Sequence, residues 1–186
     1  LLALLGGCQP VRKTPVDTAS SNLLLQPAYL CCNLRFNQDN DATDANYEIP
    51  AGGRMLPAGT RVRVSQIGST FVRFRTSEDS NPYYLELRFG RNRLSPRQYF
   101  DWIFVAEDPT TKLSGWPDGV QQAVRDGKVV EGMTREQVLM ARGYPPLHRT
   151  VALESALWTF YETRVTVSLV LFEGDRVVAI NTSSAP

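Results

Sequence analysis

The sequence predicts an α+β protein in which a small β barrel or sandwich precedes a two-layer unit ordered helix, helix, strand, strand, strand. Three observations carry this. Short runs with period-two apolar alternation, broken by Gly, Pro, Asn and Asp, fill residues 29–106. A polar stretch, "EDPTTKLSG" at 107–115, interrupts them. Two stretches with helix start and stop signals then come before three further alternating runs. The 186 residues are 42% apolar and 21% charged, a globular make-up with material for two small cores. A net charge of +1 gives no reason to expect a nucleic-acid partner. The expected organisation is the end of a signal peptide at 1–8, a tether at 9–26, a β unit at 27–108 and the ααβββ unit at 114–186.

In chain order, "LLALLGGC" joins an apolar run to two small residues and a cysteine. Leu5-Gly6-Gly7-Cys8 resembles the lipobox of bacterial lipoproteins, which implies cleavage before Cys8 and acylation of its thiol. Gln9, in a place where Asp redirects sorting in enterobacterial lipoproteins, implies an outer-membrane location facing the periplasm. Each buried acyl CH₂ contributes about 0.8 kcal/mol, so two or more chains anchor stably. An ordinary signal peptide, or a chance apolar start with a buried Cys, explains the same residues. "QPVRKTPVDTASSN" has Pro, Ser, Thr and mixed charge without a period, and reads as a tether. No stretch after residue 8 is long and apolar enough to span a bilayer.

Within the β unit, "YLCCNLRF" is a strand candidate, with Cys31 and Cys32 expected to point to opposite faces as small packing residues. A redox role for the pair is the rival reading. "GTRVRVSQI" puts Val62 and Val64 on one face and Arg61 and Arg63 on the other. "TFVRFRTS" puts Val72 and Phe74 opposite Phe71, Arg73 and Arg75, and "YYLELRFG" puts Leu85, Leu87 and Phe89 on one face. Breaks at Gly59-Thr60, Gly68-Ser69 and residues 79–82 separate the runs. "LPAGTRVRV" resembles the turn and strand of bacterial SH3-like domains.

Beyond the polar stretch, Pro117 suits the first position of a helix carrying Val120, Ala123 and Val124, which Gly127 ends. "GMTREQVLMARGYPP" holds a second helix: Thr134 and Gln137 form a capping box, and Met133 and Val138 a hydrophobic staple. Gly143 and the Pro145-Pro146 pair end it. The helix is expected to set Val138, Leu139 and Ala141 against a sheet. That sheet is read from "LWTFYE", with Trp158 and Phe160 on one face, from "RVTVSLVLF", with Val165, Val167, Leu169 and Leu171 on one face, and from "VVAIN" after a hairpin turn at 173–176. Gly132, Met133, Thr134, Val138, Gly143, Pro145, Trp158, Phe172 and Val177 make residues 114–182 resemble the BamE/SmpA (OmlA) family of outer-membrane lipoproteins, with Phe160 where that family has Tyr. The resemblance implies a binding or scaffolding role in an envelope assembly.

Catalytic patterns are sparse. The one histidine, His148, follows Pro145-Pro146, and pairing it with Cys31 or Cys32 would need the two units to converge. No transition-metal ligand pattern or phosphate-binding glycine fingerprint occurs, and no cofactor is expected. Asn37, Asp39, Asp41, Thr43 and Glu48 fall at calcium-loop positions 1, 3, 5, 7 and 12, but Ala42 stands where the loop needs Gly. A polar loop between strands explains the same residues. The arginine pairs Arg61/Arg63 and Arg73/Arg75 form a basic patch if their strands pair, suited to anionic lipid, lipopolysaccharide phosphate or an acidic protein surface. A solvated outer face, partly neutralised by Glu78, Asp79 and Glu86, is the simpler account of the same residues. The sequence therefore favours a non-catalytic envelope lipoprotein that binds a protein partner, with Arg61, Arg63, Arg73, Arg75, Tyr144 and His148 as contact candidates. The rivals are a peptidoglycan-binding module and a thiol-dependent enzyme.

Overall fold

The computed structural model describes residues 26–47 and 52–185. Cys8, the tether up to residue 25, and Glu48 lie outside the described residues. The architecture is α+β, mostly sheet with few helices. Among the described residues no helix is long and apolar enough to cross a membrane.

The run 29–36 is two strands rather than one. β1 (Ala28–Leu30) and β2 (Leu34–Phe36) are separated by a bend at Cys31-Cys32. β3 (Asp41–Thr43), β4 (Arg54–Leu56), β5 (Arg61–Ile67), β6 (Phe71–Thr76) and β7 (Tyr83–Glu86) follow. β8 (Phe104–Val105) completes a six-stranded sheet of order β3-β7-β6-β5-β1-β8, while β2 pairs with β4 apart from it. Val62, Val64, Val72 and Phe74 are at most 2% exposed, so period-two alternation assigned the inner face of β5 and β6 correctly. Phe36, Phe74 and Tyr83 pack their rings 4.9–5.9 Å apart at the centre of this core.

Two expectations for this region need correction. Residues 96–103 are not strand: α1 (Pro96–Ile103) is a helix whose Ser95–Gln98 capping box is fully formed, with Pro96 in the first turn. It buries Tyr99, Phe100 and Ile103. The strand expected through Phe89 ends at Glu86. Leu85 and Leu87 face the core, but Phe89 is 41% exposed. Asp44 explains the departure, because its carboxylate accepts the backbone N–H groups of Arg88, Phe89 and Gly90 at 2.9, 3.0 and 2.6 Å. Those amides are therefore turned away from any strand partner.

Part of the polar stretch is ordered as a 3-10 helix, Pro109–Gly115. α2 (Asp118–Arg125) and α3 (Arg135–Arg142) come next. The Thr134–Gln137 capping box of α3 is present in both directions, and Met133 and Val138 are fully buried. β9 (Leu157–Tyr161), β10 (Thr166–Glu173) and β11 (Arg176–Ser184) form an antiparallel sheet of order β11-β10-β9. Trp158, Phe160, Val170, Phe172 and Val177 face Val138 and Ala141 across one core. The expected common face of Val165, Val167, Leu169 and Leu171 is not the one that meets the helices, although Val167 on it is only 3% exposed. Ser168 sits opposite Phe160 and Val170 opposite Trp158, which turns the even positions inward and leaves Val165 71% and Leu171 40% exposed.

The helix ends of the second unit are closed by side chains of the first. Asn33 Nδ2 donates to the carbonyls of Val124 (2.6 Å) and Ala141 (3.0 Å), and its backbone N–H donates to Met140 O (3.0 Å). Asn46 Nδ2 donates to Arg142 O at 2.7 Å, and Arg35 Nη2 to Gly127 O at 2.9 Å. The carbonyls of Met140, Ala141 and Arg142 are among those a helix leaves without intrahelical partners, Val124 O also accepts Gly127 N–H at 3.1 Å, and Gly127 lies just past the end of α2. All three capping side chains are at least nine-tenths buried, so each bond also satisfies a group that water does not reach.

Candidate functional site

Two features of the described residues are shaped for contact: the arginine face of the six-stranded sheet, and a cleft where the two units meet.

On the outer face of β5 and β6, Arg61, Arg63, Arg73 and Arg75 are all exposed. The register places Arg63 directly opposite Arg75. A bulge between Val64 and Gln66 then sets Gln66 opposite Arg73, and Ser65 Oγ donates to Arg73 O at 3.2 Å. Arg73 lies 5.9 Å from the ring centroids of Phe71 and Tyr84, which stack on each other at 4.9 Å. None of the four arginines enters an ion pair among the described residues. Asp41 borders the Arg73 end, where burial and then Asp39 raise its pKa against the pull of Arg73. Like charges directly opposite each other destabilise a sheet by roughly 0.2–1 kcal/mol.

The cleft has a volume of about 360 Å³ and is lined by Ala45, Tyr47, Arg88, Phe89, Tyr161 and Arg164. One wall is the pair of loops that Asp44 and Asn46 hold. The other is the end of β9 and the turn after it. Arg142 fixes that strand end: Nη2 donates to Tyr161 O at 3.0 Å and Nη1 to Glu162 Oε2 at 2.9 Å. Ser168 Oγ donates to Glu162 Oε1 at 2.6 Å. Burial alone would raise the Glu162 pKa, but the Arg142 charge and these hydrogen bonds outweigh it and hold the carboxyl below its ordinary value. Arg164 Nε donates to Tyr47 OH at 3.2 Å, and its guanidinium lies 5.8 Å from the Tyr47 ring centroid. Arg88 lies over Phe89 at 5.6 Å.

His148 borders the cleft. Its ring lies 5.2 Å from that of Phe89 and stacks on Tyr161 at 5.8 Å, with Nε2 3.2 Å from Tyr161 OH. Burial, and then the charge of Arg149, lower its pKa against a smaller upward pull from Asp44. Tyr144 is half-buried and stacks on Trp102 of α1 at 4.7 Å. Burial, then the two neighbouring thiols, push its hydroxyl upward. Cys31 and Cys32 are free thiols, the first partly and the second fully buried. Burial, and then the adjacent Cys32, push the Cys31 thiol well above its ordinary range, the opposite of what a nucleophile needs.

The calcium-loop candidates make a tight turn. Asn37 Oδ1 accepts the backbone N–H groups of Asp39 (2.9 Å) and Asp41 (2.8 Å), which occupies the oxygen a cation would require. Among the described residues no three His, Cys, Asp or Glu side chains converge to hold a metal.

Sequence reading singled out His148 but not Tyr47, Arg88, Tyr161 or Arg164. A weak signal was present in the arginine–aromatic adjacency of "LRFGRN" and "YETR". Its meaning depends on the two segments meeting. Compared with known proteins, the chain matches no family model, no curated protein and no solved structure.

Proposed function

We propose that this is a non-catalytic cell-envelope lipoprotein, acylated at Cys8 and held on the periplasmic side of the outer membrane, serving as a scaffold or accessory subunit of an envelope assembly. In this reading the first unit is an SH3-like β domain and the second a BamE-like ααβββ domain. The observation that carries the binding role is the opposition of Arg63 and Arg75 with no carboxylate among the described residues paired to either. A sheet that keeps two like charges face to face loses stability, and an anionic surface laid across them offsets the loss. The raised Cys31 thiol supports binding over thiol-dependent covalent chemistry.

The test uses the full chain and vesicles of phosphatidylglycerol or of phosphatidylcholine. Co-sedimentation with the anionic vesicles alone, weakened at least tenfold in Arg63→Gln/Arg75→Gln, supports the reading. Equal binding to both vesicles, or to sacculi of peptidoglycan in preference to either, overturns it. Metabolic labelling with a palmitate analogue tests the anchor; equal labelling of wild type and Cys8→Ala removes it.

A further inference from the structure

The cleft between the units has no role in the reading above, and its chemistry is more specific than that of the arginine face. Among the described residues its lining offers guanidinium groups from Arg88 and Arg164, the rings of Tyr47, Phe89 and Tyr161, and no carboxylate. Neither arginine is in an ion pair among the described residues. Two acids stand close behind the walls, and both are committed. Asp44 is buried and spends its oxygens on the amides of Arg88, Phe89 and Gly90. Glu162 is bound by Arg142 and Ser168.

We propose that this cleft binds a short acidic peptide segment of a partner protein, its carboxylates meeting Arg88 and Arg164 and an apolar side chain lying against Phe89 and Tyr161. A volume of about 360 Å³ is at the small end of the range for ligand sites, the size of a few side chains rather than a folded surface. Arg164 lies 5.8 Å from the Tyr47 ring centroid and Arg88 5.6 Å from that of Phe89, so each guanidinium has an aromatic neighbour, and a guanidinium fork matches a carboxylate bidentately. The walls are already fixed, by Asp44 and Asn46 on one side and Arg142 on the other, so little ordering entropy opposes binding. Phosphate is the less suited anion. Phosphate sites draw on free backbone amides in a nest, and here the amides at 88–90 are taken by Asp44. The inference stands on the cleft alone and is independent of the envelope reading.

Calorimetric titration of the full chain with the peptide acetyl-Glu-Phe-Glu-amide, at low salt and pH 7, tests it. Saturable binding is expected, at least tenfold tighter than for acetyl-Gln-Phe-Gln-amide and at least tenfold weakened in Arg88→Gln/Arg164→Gln. Inorganic phosphate at equal concentration should not compete. Both arginines are exposed, so the double variant should keep the wild-type melting temperature. Should it not, Arg88→Lys/Arg164→Lys retains the charge and removes the fork, and it is expected to bind at least fivefold more weakly than wild type. Equal affinity for the two peptides, lysine-variant binding equal to wild type, or displacement by phosphate each overturns the proposal.

Discussion

Asn33 and Val124, 91 positions apart, are joined by a 2.6 Å hydrogen bond from the Asn33 side chain to a carbonyl in the last turn of α2. The same amide nitrogen reaches Ala141 O, and the amide oxygen accepts Ala58 N–H at 2.8 Å. One buried side chain therefore satisfies groups on two helices and a loop. Asn33→Ala takes the side-chain partner from Ala141 O and Ala58 N–H and leaves Val124 O with the Gly127 N–H alone, in a site closed to water. The expected loss is about 2–4 kcal/mol, since each orphaned buried group costs about 1–3 kcal/mol. Urea unfolding followed by circular dichroism measures it, and a loss under about 0.5 kcal/mol would contradict the interface described.

Gly143 ends α3 with φ +77° and ψ −173°, a backbone region in practice reserved for glycine. A Cβ placed there stands 2.8 Å from Asn46 Nδ2, the donor that caps Arg142 O. Gly143→Ala is expected to destabilise by about 2–3 kcal/mol, from strain and loss of the cap together. In an Asn46→Ala background the increment should shrink, because the clash is gone and only the strain remains. Equal increments in the two backgrounds would show that the approach of Asn46 does not matter.

The Arg142–Glu162 pair makes stability depend on pH. The folded pKa of Glu162 lies below its unfolded value, so the pair's contribution is complete above the unfolded pKa of about 4.3 and is lost as pH falls through the folded one. Acid unfolding below about pH 4 should therefore be less steep in Glu162→Gln. That variant should also lose about 2 kcal/mol at pH 7, because Arg142 stays buried without its counter-charge. A variant with the wild-type pH profile would remove Glu162 from the acid transition.

Arg75→Glu separates stability from binding. It converts the like-charge opposition with Arg63 into an opposite-charge pair, worth about 0.5 kcal/mol on an exposed sheet face. The melting temperature should rise slightly while phosphatidylglycerol-vesicle binding falls. A variant that gains stability and keeps full binding would show that the face is merely solvated.

The thiols give a fifth measurement. With Cys31 pushed up by burial and Cys32 buried, Ellman's reagent should modify these two thiols in native Cys8→Ala protein at pH 8 at least about a hundredfold more slowly than in its unfolded chain. Rapid modification of either residue would restore the thiol-enzyme reading.

Much of the architecture was written locally. Capping boxes act within three residues and strand alternation within two, so α3, the hairpin of β10 and β11, and the inner face of β5 and β6 could all be read directly. Ser95, Pro96 and Gln98 carried a signal of the same kind for α1, and the β reading of the surrounding segment obscured it. Alternation also grouped Val165, Val167, Leu169 and Leu171 correctly. It did not say which side of the sheet the helices would cover, because a period fixes membership of a face and leaves its partner open.

The cleft and the capped helix ends belong to the other category. Tyr47, Arg88, Tyr161 and Arg164 become neighbours only when loops from distant parts of the chain are pinned by Asp44, Asn46 and Arg142. No short-range pattern encodes such a meeting: it follows from burying both cores at once and from the need of every enclosed carbonyl and amide to find a partner. Composition, caps and periodicity settled which elements this chain forms. Packing between them settled which charges face an acid, which face water, and where a pocket is left between the two units.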